Sequence, residues 1–174
     1  MVEKIDKNSN VCLAECTTVC CQQVRPPLSE RRKKIIKEYI EQNNLFIDDP
    51  FAFNGVYWYP KEDENGFCIF FSKKNKRCII HNAKPETCVA GPITFDIDIP
   101  KKELVYMIKK PEVCKLAESF LKDPNNLNTS KRMIRNLLKD LPKEIILVLL
   151  EIPEDYAYEF EREPLEPAVA LKLQ

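Results

Sequence analysis

Apolar residues first recur at helical spacing in Ile35, Ile36, Tyr39 and Ile40, with Arg31-Arg32-Lys33-Lys34 on the opposite face. Ser29 is placed to cap this segment, which predicts a helix from about Glu30 to Asn43 whose basic face is a solvated surface. The period then shortens to β-type runs: Leu45-Phe46-Ile47, Gly55 to Tyr59, Phe67 to Phe71 and Arg77 to Ile80. The last two flank the polar stretch Ser72-Lys73-Lys74-Asn75-Lys76 and predict a hairpin with Cys68 and Cys78 near its mouth. Lys84 to Cys88 reads as a helical turn, and Ile93 to Ile99 alternates apolar and polar like a half-exposed strand.

Beyond Pro100 the pattern predicts helices over Lys101 to Lys109, Pro111 to Leu121, Lys131 to Leu141 behind a Thr129 or Ser130 cap, and Pro142 to Glu151. The run from Ile145 to Leu150 is apolar on every side and far short of the roughly 20 residues a membrane span requires, so it belongs to the core or to an oligomer contact. The tail from Glu151 to Gln174, rich in Pro and Glu, is expected to be extended and packed on a partner. Together these elements predict an α+β fold. A small, irregular, cysteine-rich domain with short strands and a hairpin occupies residues 1–125, and a helical C-terminal part, 126–174, packs on it as one compact unit.

Composition narrows the function. With 174 residues and 44% apolar content the chain can bury a core without disulfides. Lys plus Arg balances Asp plus Glu at 27 each, so the protein as a whole has no field to attract nucleic acid or an anionic membrane. A nucleic-acid partner would have to meet a local patch, of which the hairpin tip Lys73 to Arg77 beside Phe70 and Phe71 is the candidate. Charges in Met1 to Lys7 stand where a secretory signal would be apolar, which places the chain in the cytoplasm, away from membranes. The three glycines form no phosphate-cradling loop, and the single histidine, His81, excludes HExxH metallohydrolases.

The eight cysteines carry the candidate chemistry. In a reducing compartment thiols in clusters serve metals or catalysis more often than disulfides. Cys12, Cys16 and Cys20 on one continuous helix would place the outer two about 12 Å apart, beyond the reach of one zinc ion. The segment is therefore a loop around a centre, or it serves a larger cluster or two sites. Cys20 and Cys21 are adjacent and expected to diverge toward different centres. Cys68, Cys78 and Cys88 follow at intervals of nine intervening residues, and Cys114 comes last. Zinc takes four thiolates and a [4Fe–4S] cube takes one per iron, so eight thiols can fill one or two such centres. His81, three residues after Cys78, is a further candidate neighbour of the metal.

The order Cys12-x3-Cys16-x3-Cys20-Cys21, a helix, Cys68-Ile69-Phe70-Phe71, then Cys78 through Lys84-Pro85-Glu86-Thr87-Cys88 resembles the YkgJ-type cysteine-cluster family of zinc- or iron-chelating domains, over about residues 11–120. His81 stands where that family has Tyr, and Lys84 where it has Arg. The resemblance implies metal ligation by Cys12, Cys16, Cys20, Cys21, Cys68, Cys78 and Cys88, with Cys114 matching a later cysteine of some members. It implies no particular reaction. The expected function is an iron–sulfur protein, with zinc as the other metal, in electron transfer or in maturation and assembly with a protein partner. Two alternatives stay open: a zinc-stabilised module for protein or RNA interaction, and an S-adenosylmethionine-dependent enzyme like the related flagellin lysine N-methylases. No catalytic residue is singled out, and the oligomeric state is undetermined.

Overall fold

Helix α1, Glu30–Gln42, begins where Ser29 accepts the N–H of Arg32 on its Oγ at 3.1 Å. A hydroxyl at this position satisfies one of the donors that a helix start leaves free. The helix buries Ile36 and Ile40, four residues apart on one face, and ends before Asn44, whose φ of 49° is left-handed. The coordinates are a computed structural model in which residues 19–151 and 155–174 are described.

Strands β1, Phe51–Phe53, and β2, Trp58–Pro60, form an antiparallel hairpin. The Asn54 side chain closes its turn, accepting the N–H groups of Val56 and Tyr57 at 3.0 and 2.9 Å. The predicted strand at Leu45 to Ile47 is absent; that segment links α1 to β1 and leaves Phe46 fully exposed. Strands β3, Phe71–Ser72, and β4, Arg77–Cys78, make the predicted second hairpin. A 3-10 turn at His81–Ala83 then leads into the short helix α2, Glu86–Ala90. Leu28, Ile36, Ile40, Phe51, Phe70 and Ile80 make a small core beneath these elements, with Cys68 and Cys78 packed against it.

A larger core lies under a three-stranded antiparallel sheet in the order β5-β6-β7: Ile93–Asp98, Glu103–Lys109 and Ala157–Pro164. Here one expectation fails. Glu103 to Lys109 is a strand rather than a helix, because its branched and aromatic residues fill the middle of the sheet with Leu104, Val105, Tyr106 and Ile108 all buried. The tail is extended over β7, as expected, and there it pairs with β6, with Glu161, Glu163 and Glu166 engaged within the chain. Glu161 pairs with Lys131, Glu163 with Arg135 at 3.0 Å, and Glu166 with Lys139 at 2.7 Å.

Helix α3 spans only Ala117–Lys122, since Pro111 to Leu116 turns without forming a helix. Helix α4, Pro124–Asp140, starts seven residues before the predicted Lys131. Asp123 caps it by accepting the N–H groups of Asn125 and Asn126, and Pro124 occupies the first turn, where a missing N–H costs nothing. Helices α5, Lys143–Leu150, and α6, Pro167–Lys172, complete the layer. Ile146 of the apolar run lies at 0% exposure, so that run belongs to the core as expected. Lys172 reaches back to donate to the carbonyls of Leu138, Lys139 and Leu141, which satisfies acceptors that the end of α4 leaves free. The fold is a small α+β domain in which α2 joins the two cores: Ser130 of α4 donates to the Ala90 carbonyl at 3.0 Å. Leu137→Ala, which opens a cavity at a fully buried position of the larger core, should cost about 2–5 kcal/mol in a urea titration while leaving metal content unchanged.

Candidate metal centre

Five thiols reach one region from four stretches of chain. Cys20 and Cys21 lie on a 3-10 turn, Val19–Cys21. That turn is held antiparallel to the segment carrying Cys68: the Cys68 N–H donates to the Cys21 carbonyl at 2.9 Å, and the Gln23 N–H to that of Gly66 at 2.7 Å. Gly66 has a φ of 76°, and a Cβ there would meet the Gln23 side chain at 3.0 Å, so the close approach of the two segments depends on glycine. The β3–β4 hairpin brings Cys78 opposite Phe71, and the Ile79 N–H donates to the Phe70 carbonyl at 2.8 Å. The predicted closeness of Cys68 and Cys78 is present. Past the 3-10 turn at His81, the first turn of α2 supplies Cys88.

The sulfurs act on one another. Cys88 senses the charges of Cys68, Cys78 and Cys20, and Cys21 senses those of Cys20, Cys88 and Cys78. The Phe70 N–H donates to the Cys68 sulfur and the Ile80 N–H to that of Cys78, the same two-residue relation repeated on the two arms of the hairpin. Such amide donors favour the thiolate and orient it. Cys20 and Cys21, expected to diverge, instead meet, because the tight turn lets the Cys21 thiol donate to the Cys20 sulfur.

Burial pushes Cys68 and Cys88 up to about 12, and Cys78 is also raised by burial. Cys20 moves the other way, down to about 6: the Cys21 thiol donates to it, partial desolvation opposes, and the Lys109 and Lys84 ammonium groups add attraction. Cys21, as the donor, is raised. Burial thus opposes ionisation of Cys68, Cys78 and Cys88 while Lys84 favours it at Cys78 and Cys88, a balance that a bound cation would tip by favouring every thiolate at once. Lys84 acts on Cys20, Cys78 and Cys88, so a positive side chain stands at the position where the resembling family carries Arg.

None of the six described cysteines is in a disulfide. Among the described residues, no group of three or more His, Cys, Asp or Glu side chains is already arranged to hold one ion. The thiols are brought together by their backbones without being closed on a point. Cys12 and Cys16 lie outside the described residues. Cys114 is half-buried in the turn between β6 and α3, with its N–H donated to the Lys110 carbonyl at 3.0 Å. His81 is exposed on its turn. At the hairpin tip, Lys73 is paired with Asp63 at 2.7 Å, and Phe70 is 1% exposed and unable to stack on a base.

Sequence reasoning passed over Glu86, a residue of the same short helix as Cys88. It is fully buried and receives Arg32 Nε at 2.8 Å, so the basic face of α1 is not simply solvated. The available signal was an acidic residue directly after Pro85, in the first turn of a helix leading to a cysteine.

A family model described as CxxCxxCC, a "putative zinc- or iron-chelating domain", matches residues 11–130. No curated protein and no solved structure matches the chain.

Proposed function

The chain belongs to the CxxCxxCC family of zinc- or iron-chelating domains, and from that premise we propose that its thiolates hold a [4Fe–4S] centre, in preference to zinc, for electron transfer or for an assembly task with a protein partner. The observation that carries this reading is the convergence of Cys20, Cys21, Cys68, Cys78 and Cys88, reduced and mutually interacting, with Lys84 and Lys109 offsetting their charge. All-sulfur donor sets suit zinc and iron–sulfur clusters and disfavour hard cations. Five thiols exceed the four that one zinc ion takes, and Cys12 and Cys16 extend the set from the N-terminal side, with Cys114 as the eighth. A cluster that takes one cysteine per iron uses adjacent sulfurs such as Cys20 and Cys21 more readily than a single tetrahedral ion does. The amide donors to Cys68 and Cys78 would then bear on the potential of the cluster.

The deciding measurement is iron, zinc and acid-labile sulfide content, with an absorption spectrum, on protein purified without oxygen and without metal-affinity resin. Brown protein with iron and sulfide in equal amounts, about four of each per cluster, is expected. Colourless protein with stoichiometric zinc would overturn the cluster and leave chelation standing. Protein free of both metals would overturn both.

A further inference from the structure

The chain has two Asn–Gly pairs, Asn54–Gly55 and Asn65–Gly66. Asparagine is chemically labile, and before a glycine most of all, because the next amide nitrogen can close a small ring on the side-chain Cγ with no Cβ to hinder it. The fold treats the two pairs differently.

Asn54 and Gly55 lie in the exposed turn of the β1–β2 hairpin. Among the described residues the Gly55 N–H donates to no acceptor, and the place where a Cβ would stand has no atom within 4 Å. Asn54 Oδ1 accepts the N–H groups of Val56 at 3.0 Å and Tyr57 at 2.9 Å. Those donors are aimed at the oxygen that turns into an oxyanion when Cγ is attacked, so the contacts that close the turn also stabilise the tetrahedral intermediate. Gly66, by contrast, is held on both sides. Its N–H donates to the Asp63 carbonyl at 2.9 Å, and its own carbonyl accepts the Gln23 N–H at 2.7 Å. Among the described residues no backbone N–H reaches the Asn65 side-chain oxygen. The Gly66 nitrogen can attack only after giving up its hydrogen bond, and the fold supplies no cradle for the charge that would develop.

We propose that Asn54 is a self-modification site, deamidating through a cyclic imide within the folded hairpin, while the fold protects Asn65. Hydroxide removes the Gly55 amide proton, the nitrogen attacks Asn54 Cγ, and the bond from Cγ to Nδ2 breaks as ammonia leaves with a proton from water. A second water opens the imide at either carbonyl, giving aspartate or the isomer whose main chain runs through the side-chain carbon. Overall, one amide and one water become one carboxylate and one ammonium ion. The isomer adds a methylene to the main chain beside the Phe53–Trp58 pair, and so loosens the strand whose Trp58 carbonyl holds the Leu28 N–H at 2.8 Å.

The test is timed incubation of the full chain, with its metal as purified, in mildly alkaline buffer and in parallel in urea, followed by peptide mapping for the mass gain of an amide turned acid. In urea the two pairs should react at similar rates. In the folded chain Asn54 should keep at least its unfolded rate, while Asn65 should fall about tenfold or more below its own, the effect of one retained hydrogen bond. Asn54→Gln, whose longer side chain cyclises far more slowly, should cut ammonia release from the folded chain to background. Slowing of Asn54 by folding as great as that of Asn65 would overturn the proposal, and so would undiminished ammonia release from folded Asn54→Gln. Should that variant fail to fold, the folded and unfolded rates of the parent still decide.

Discussion

Cys78→Ser should emerge from purification without its metal and melt on the order of 10 °C below the parent, and Cys20→Ser should do the same. A ligand present at a thousand times its Kd stabilises the folded state by about 4 kcal/mol. In a chain of this size each kcal/mol moves Tm by about 2–4 °C. Metal in a thiolate site is bound by the folded form alone, so its loss is a loss of folding energy. The damage should be uneven. Cys68 and Cys78 pack against the small core of Leu28, Ile36, Ile40, Phe51, Phe70 and Ile80, whereas the sheet β5-β6-β7 has a separate and larger core. Hydrogen exchange should therefore rise in α1 and the two hairpins of the cysteine-bearing half, with β5 and β6 still protected. Leu137→Ala gives the converse pattern, reduced stability with metal retained. Full metal content and an unchanged Tm in both cysteine variants would remove these thiols from the centre.

What could be read from the chain divides along a physical line. Elements specified by their own residues were legible: Ser29 and its four-residue apolar spacing gave α1, the polar stretch at 73–76 gave the β3–β4 hairpin, and the alternation from Ile93 gave β5. Elements specified by distant neighbours were not. Glu103 to Lys109 has charged ends and a continuous apolar middle, a pattern shared by a buried helix and a central strand. What decides between them is β7, which arrives from more than forty residues away to cover its free edge. The start of α4 was not legible because Thr129 and Ser130 offer a cap in front of Lys131, while Asp123 and Pro124 farther upstream form a sufficient start. At the site the same division holds. Clustering of thiols was evident from their number and order, but the contact between Cys20 and Cys21 depends on a tight turn held by Gly66 and Cys68, nearly fifty residues on.

Glu86→Ala should cost about 3–5 kcal/mol, the largest loss expected from any single charged side chain here. Glu86 is at 0% exposure, and its Oε1 receives Arg32 from Nε and from NH2, both at 2.8 Å, and Arg31 NH2 at 3.3 Å. Arg31 continues through its Nε to Asp140 Oδ2 at 2.6 Å. One carboxylate thus ties α1 of the small core to α2, and through Arg31 to the end of α4 in the larger one. Removing it leaves the Arg32 guanidinium, 8% exposed, without a counter-charge, and that stranded charge is the main source of the loss. Glu86→Gln keeps an acceptor for Arg32 without the charge and should fall between parent and alanine. The pair Glu86→Leu with Arg32→Met, which buries no charge, should be more stable than Glu86→Ala alone, although half-exposed Arg31 then retains only Asp140. Because α2 also carries Cys88, the alanine variant should release its metal to a chelator sooner than Leu137→Ala does at comparable stability. Urea titrations of the parent and the four variants, with chelator release followed by absorbance, check these statements. A Glu86→Ala cost below about 1 kcal/mol, the range of an exposed pair, would show that the network is peripheral to the joining of the two cores.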